Sequence, residues 1–447
     1  MKTIRIGTGA GFQGDRIEPA VDLAERGDLD YLVFECLGER TIALAQQARI
    51  ADPSGGYDPN LDRRMRAILP ICARNGTRIV SNMGAANPLA AAERTIAIAR
   101  DLGLTGLKVA AVTGDDVTGI IGRSVLDETR APAAELGDRL VSANAYIGVT
   151  GLIDALSAGA DVVICGRASD PTLFLAPLMH EFGWAPDDVT RLGRGTLVGH
   201  MLECAAQVTG GYFADPGKKD VTGLAQVGYP FAEVSADGTA VLSKLPGTGG
   251  RISVASCTEQ LLYEIHDPSR YLQPDVVADF SGVCFNEIGP DSIAMSGADG
   301  ASATGFLKVS VGYLDGWIGE GQISYAGANC LARGNMAISL MRERLTPYTD
   351  SLMEQRGELI GVNSVWPAAT ATSQPTEVRM RYAARCSDAE TARMIGEEVE
   401  GLYLAGPAGG GGVTKDVRVC LAIASTLLPA SQVTTHIEMM EVQNETA

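Results

Sequence analysis

IRIGTGAGFQGDR, residues 4–16, carries an apolar strand pattern straight into a glycine-marked polar turn. The same habit recurs in YLVFECLGERT (31–41), RIVSNMGAANP (78–88), KVAAVTGDD (108–116), RLVSANAYIG (139–148) and VVICGRASDP (162–171). Between these strands lie helical patterns, as in IEPAVDLAERG and AAAERTIAIARDLG, and such alternation argues for a parallel sheet. In an open α/β sheet, ligands bind outside the carboxyl ends of the strands, and in a (β/α)8 barrel at the equivalent face. Either architecture would gather Asp15, Arg16, Glu35, Asn82, Asn87, Asp115, Asn144, Arg167 and Asp170 around one pocket.

The fold class expected is therefore α/β. A parallel-sheet domain at 1–212, doubly wound and Rossmann-like or else barrel-like, is followed by an α+β domain at 213–447. Helices are expected at 40–49, 61–75, 149–158, 171–182 and 195–208, with Pro88 opening the helix after strand 78–82. Beyond residue 212 strand-like runs dominate, RISVASC (251–257) among them. Helix returns at 328–345, 388–399 and, after the glycine run Gly409–Gly412, near 416–427.

Composition sets bounds on function. No apolar run in the 447 residues approaches the length of a membrane span, and MKTIRIG lacks the apolar core of a signal peptide, so a cytoplasmic protein is expected. The net charge of −18 disfavours nucleic acid and anionic membranes as partners. Self-association is expected from size alone. The nine cysteines contain no C-x-x-C, and the four histidines, His180, His200, His266 and His436, show no metal-ligand spacing, so no metal is expected.

Several motifs carry chemistry. Gly9-Ala10-Gly11-Phe12-Gln13-Gly14 fits G-x-G-x-x-G, with Glu35 at the end of strand two where a dinucleotide site holds its ribose. Asp15-Arg16 follows at once and Pro19 delays the helix, so the loop reads equally as another ligand-approach loop, Gly11 within it, or as a tight turn. Asp15, Glu35, Glu39 and Asp170 stand at strand ends. Two buried together would have their pKa values pushed apart, giving an acid and a base, whereas the plainer reading is helix caps and ion pairs. Arg16 and Arg167 could clamp an anion, or Arg167 could simply pair with Asp170. Thr196, His200, Glu203 and Gln207 make a polar helical stripe, read as a solvated face or as the lid of a pocket. Gly406–Gly412 with Thr414 and Lys415 suggests an anion loop at a helix N-terminus, or a surface for another chain.

The strings TGAGFQGDR, SNMGAANP, VVICGRASDP, HMLECAAQVTGGYFAD, PGTGGRISVASCTEQLLYEIHDPSRYLQPDVVADF and LDGWIGEGQISYAGANCLAR together resemble the AtuA family, named for acyclic terpene utilisation. The resemblance implies breakdown of branched carboxylic acids, often as acyl-CoA thioesters. Many relatives continue into a ferredoxin-like domain, whereas this chain stops at Ala447, so that domain is expected as a separate small subunit or not at all. The resulting expectation is a lyase or hydratase without a cofactor. Asp15 or Glu35 would act as base, Asp170 or Glu203 as its partner, Arg16 and Arg167 as clamp, and Asn82, Asn87 and Asn144 as substrate-orienting amides. The alternatives are a scaffold subunit for a small catalytic partner, and a nucleotide- or CoA-dependent enzyme using Gly9–Gly14.

Overall fold

The computed structural model describes residues 2–367 and 375–443. By contact density the chain divides into two units, Met1–Gly312 with Ile423–Ala447, and Tyr313–Ala422.

The first unit opens with β1 (Thr3–Ala10), α1 (Glu18–Arg26), β2 (Tyr31–Phe34), α2 (Glu39–Ala51), α3 (Leu61–Asn75), β3 (Arg78–Ser81) and α4 (Pro88–Asp101). It continues through β4 (Lys108–Thr113), β5 (Leu140–Ala145), α5 (Thr150–Ser157), β6 (Val162–Cys165), α6 (Thr172–Phe182) and α7 (Val189–Leu202). Four of these strands follow β1 in parallel, in the order β1-β2-β3-β6-β4. Their side chains alternate between two cores. Ile6, Tyr31, Val33, Val80, Val163 and Val112 join α5, α6 and α7, while Leu32, Phe34, Ile79, Ile164 and Ala111 join α1, α3 and α4. A strand buried on both faces needs a continuous apolar run, which is what YLVF and VVIC supply.

Two expectations about this sheet need correction. It is open, not a barrel, and β1 lies between β2 and an antiparallel strand, so the dinucleotide-binding order with strand 1 between strands 2 and 4 is not formed. Strand β5 also leaves the sheet and pairs elsewhere.

Beyond residue 212 the chain goes on to extend the same sheet. Strands β7 (Pro230–Ser235) and β8 (Ala240–Lys244) add to the free edge of β1, antiparallel, and satisfy backbone groups that an edge would leave open. The segment expected as the strand RISVASC is instead the start of α8 (Val254–Leu262), because Ser253 and Ser256 cap each other's backbone N–H groups. Strands β9 (Tyr271–Leu272), β10 (Val276–Asp279) and β13 (Asp299–Ser302) form a small sheet against α7, while β11 (Cys284–Gly289) and β12 (Ser292–Ser296) lengthen the main one.

In the second unit, β14 (Phe306–Ala326) pairs with β16 (Glu377–Cys386), which pairs in turn with β15 (Leu352–Ile360). Helices α9 (Cys330–Arg344) and α10 (Ala389–Ala405) cover this sheet through Ile338, Met341, Ile395 and Val399. The helix expected at 416–427 is absent. Residues Gly411–Pro429 form strand β17, since Val413, Val417, Val419, Leu421 and Ile423 recur at period two and not 3.6. The anion loop suggested at Gly406–Gly412 therefore has no helix behind it, and Lys415 pairs with Glu400. The last strand, β18 (His436–Glu441), belongs to the first unit and pairs antiparallel with β4. Among the described residues no helix is long and apolar enough to cross a membrane.

Candidate active site

The carboxyl ends of β2, β3 and β6 are adjacent in the sheet, and their loops meet. Glu35 follows β2. Its Oε1 accepts from the Leu37 N–H (2.9 Å) and from Asn82 Nδ2 (3.0 Å), while Asn82 Oδ1 accepts from the Cys36 N–H. Asn82 therefore orients Glu35 and is not free to orient a substrate. Burial pushes the Glu35 carboxyl up to about 8, the charge of Asp170 raising it further and Arg167 opposing.

Arg167 follows β6 and is 2 % exposed. Its guanidinium lies 3.9 Å from the centre of the Tyr146 ring and donates to Asp170 Oδ1 (2.7 Å) and to the Leu37 carbonyl. One buried cation thus ties the β6 loop to the β2 loop. Its Nε meets no protein acceptor among the described residues. Asp115, after β4, accepts from the Arg167 N–H and from Asn144 Nδ2, and burial lifts it to about 6. The close fit explains Gly166, where a Cβ would stand 2.4 Å from the Asp115 carboxylate.

Glu203 arrives from the end of α7. The stripe expected as a solvated face is buried instead: Thr196 and His200 are 1 % exposed and Glu203 7 %. The reason is the small sheet packed over α7, with the tilted rings of Tyr271 and Phe280 against His200. His200 Nε2 faces the carbonyls of Gln260 (2.9 Å) and Leu261 (3.2 Å), which only accept, so this nitrogen carries a proton. Nδ1 lies 2.7 Å from Glu203 Oε1, so the two share a further proton. Burial raises Glu203 to about 7 against the pull of His200, with Asp170 adding to the rise. For His200 burial works the other way, but the Glu203 carboxylate and the two carbonyls outweigh it and lift the imidazole above its ordinary value. Glu203 Oε2 has no protein partner among the described residues. Cys204, next in the chain, has its thiol raised by burial and then by the charges of Glu203, Glu35 and Asp170. Glu35, Asp170, Glu203 and Arg167 are thus brought together from three distant segments.

Other expected residues lie elsewhere. Asp15 turns back on its own loop, its Oδ2 accepting from the Gly11 N–H (2.7 Å), and stands beside Tyr229 and Arg64. Arg16 is exposed and bonds the Ala225 carbonyl, and β2 and β3 stand between its strand and that of Arg167 in the sheet order, so the two arginines are not brought side by side. Asn87 caps α4 and donates to the Pro53 and Gly55 carbonyls. Asn144 serves Asp115. The first half of the Gly9–Gly14 loop is covered by protein, since a Cβ on Gly11 would sit 2.5 Å from the Cys204 carbonyl carbon and Gly9 faces the Phe34 ring, while Phe12 is exposed. Helix α1 starts only at Glu18, so no helix N-terminus points into this loop.

Sequence reasoning also passed over Tyr146, Gln260 and Tyr271, and the buried group Arg64–Asp58–Cys36. Arg64 Nη1 reaches Asp58 and Cys36 Sγ, both at 3.1 Å, and its Nη2 holds the Gln13 carbonyl. Tyr146 alone carried a signal, standing at the end of a predicted strand. The others become neighbours only through tertiary packing.

No curated protein and no solved structure matches the chain. A family profile does match it, over residues 4–439, nearly the whole length, and that family's name supports a catabolic role. The chain belongs to the acyclic terpene utilisation family AtuA.

Proposed function

We propose that the protein is a catabolic hydro-lyase, adding water to or removing it from a branched or unsaturated carboxylic acid or its acyl-CoA thioester. The observation that carries this reading is the convergence of Glu35 and Glu203 on Asp170, whose charge raises both. Two carboxyls with elevated pKa values, held by separate loops, can give and take protons near neutral pH. Glu35, raised furthest, is the acid that delivers a proton to carbon. Glu203, sharing a proton with His200 through Oε1, presents its unpartnered Oε2 to water as base. Arg167 Nε is the donor available to the substrate's carboxylate or thioester oxygen.

The test is direct. Purified protein, alone and with any small partner encoded beside it, is incubated with branched unsaturated acids and their thioesters. Conjugated absorbance is followed together with the gain of one water in mass. Glu35→Gln and Glu203→Gln are each expected to lower kcat by about 10²–10⁴-fold. Absence of turnover by the folded wild type, or full activity of both variants, overturns the reading.

A further inference from the structure

Strand β17 stands at one edge of the second sheet, where β14 is its one neighbour among the described residues. The other edge of β17 is engaged toward its ends. Near the start, the Val413 N–H donates to Tyr403 Oη (3.1 Å). Near the finish, the Ser425 N–H donates to the Glu128 carboxylate (2.7 Å) and its carbonyl accepts from the Asp127 N–H (2.8 Å). Backbone groups of alternate residues point to the same side of a strand. Lys415, Val417 and Val419 therefore turn theirs outward, as Val413 and Ser425 do. An outward edge of this kind is a template for another strand.

The residues along it favour one occupant. No proline or glycine interrupts the chain between Val413 and Leu428, and Val417 and Val419 are 37 % and 38 % exposed. Beside them runs a groove of about 190 Å³, lined by Arg393, Gly396 and Glu397 of α10 and by Lys415, Asp416 and Val417. At a net charge of −18, the chain repels its own copy wherever one sign prevails. Here both signs alternate. Asp416 and Arg418 share a face of β17, stay largely exposed and are paired with each other. Consider a second copy running antiparallel about a two-fold axis through Val417. Val417 then meets the partner's Val417, Lys415 the partner's Val419, and Asp416 the partner's Arg418. Because Val417 turns its backbone outward, the axial pair is the hydrogen-bonded one. Asp416 and Arg418 then fall in the closer, non-hydrogen-bonded pairs, where side chains meet. Moving the axis by one residue would set Asp416 on Asp416 or Arg418 on Arg418.

We propose that β17 pairs edge to edge with β17 of a second copy of this chain, in the register centred on Val417. The second sheet thereby continues across a two-fold axis, and Asp416 and Arg418 exchange their partners between copies. This goes beyond the hydro-lyase reading and stands on different residues.

Sedimentation equilibrium on the full chain and four variants tests it. The wild type should form dimers at micromolar concentration. Asp416→Arg and Arg418→Asp each set two like-charge pairs across the axis, and each should weaken the dimer by about tenfold or more. Val417→Lys, which opposes two cations on the axis itself, should do the same. The double variant D416R/R418D restores opposite charges in both pairs and should return the dimer to within about threefold of wild type. All four alter exposed side chains, so the urea midpoint of the monomer should stay in place. A wild type that remains monomeric overturns the proposal. So does a dimer indifferent to all three single variants, or a double variant that assembles no better than either charge reversal. None of these results bears on turnover by Glu35 and Glu203, so the two readings fail separately.

Discussion

The loop after β1 and the loop after β6 look alike in sequence, GAGFQGDR and GRASDP, each setting glycine, arginine and aspartate after an apolar strand. The folded chain uses them in opposite ways. In the first, Asp15 bonds its own loop, Arg16 reaches outward to the Ala225 carbonyl, and Gly11 packs on Cys204. In the second, Arg167 is sealed beneath Tyr146 and sets the Asp170 charge between Glu35 and Glu203. The difference comes from position in the sheet. β6 is flanked on both sides by parallel strands, β3 and β4, and neighbouring loops converge over its end. β1 instead borders the antiparallel β7, and the loop after it is held from below by Arg64.

The most severe way to break this comparison is to remove that support. Arg64 and Asp58 are each 2 % exposed and paired at 3.1 Å. Arg64→Met would leave the Asp58 carboxylate buried without its cation and free the Gln13 carbonyl. A loss of roughly 3–5 kcal/mol is expected in urea denaturation, because an unpaired buried charge costs more than the pair contributed. A loss under 1 kcal/mol would show that the first loop does not depend on this arginine.

A second measurement sharpens the contrast through pH. Glu35 titrates at about 8 in the folded chain against 4.5 for the ordinary group, so across that interval the native state holds a proton that the unfolded chain has released. With more protons bound in the native state, stability falls as pH rises. The contribution is complete below about 4.5 and is lost by about 8, at a slope of up to about 1.4 kcal/mol per pH unit for one proton. Glu203, raised to about 7, acts in the same direction. Glu35→Gln keeps an oxygen for the Leu37 and Asn82 donors and does not ionise. The variant should therefore lose less stability than the wild type between pH 5 and 8. Parallel stability–pH curves for the two proteins would remove Glu35 from the ionising cluster.

What the sequence could disclose follows from the same physics. The parallel strands were legible because a strand buried on both faces must be uniformly apolar, and YLVF and VVIC are. Pro88 announced the first turn of α4, as the structure bears out. Glu35, Arg167 and Asp170 were legible as neighbours because the strand-end rule needs only the order of elements. His200 and Glu203 were visible as a polar stripe, but its burial depends on β9, β10 and β13, which return to α7 long afterwards in the chain. The extension of the main sheet by β7, β8 and β18 was hidden for the same reason. For β17, the period of two was present and the apolar run was read as helical. That error was one of pattern, not of distant contacts.

The smallest expected effect isolates the two arginines themselves. Arg16 is more than half exposed, and its partners, Glu18 and the Ala225 carbonyl, lie at the surface. Arg16→Ala should change stability by less than about 0.5 kcal/mol, since exposed ion pairs are screened by solvent and cost side-chain entropy to form. Turnover, read in the assay used for Glu35 and Glu203, should stay within about twofold of wild type by the same reasoning. A tenfold fall in kcat/KM with unchanged stability would place Arg16 in contact with the substrate. The contrast between the loops would then be one of burial alone, because both arginines would serve the same anion from opposite ends.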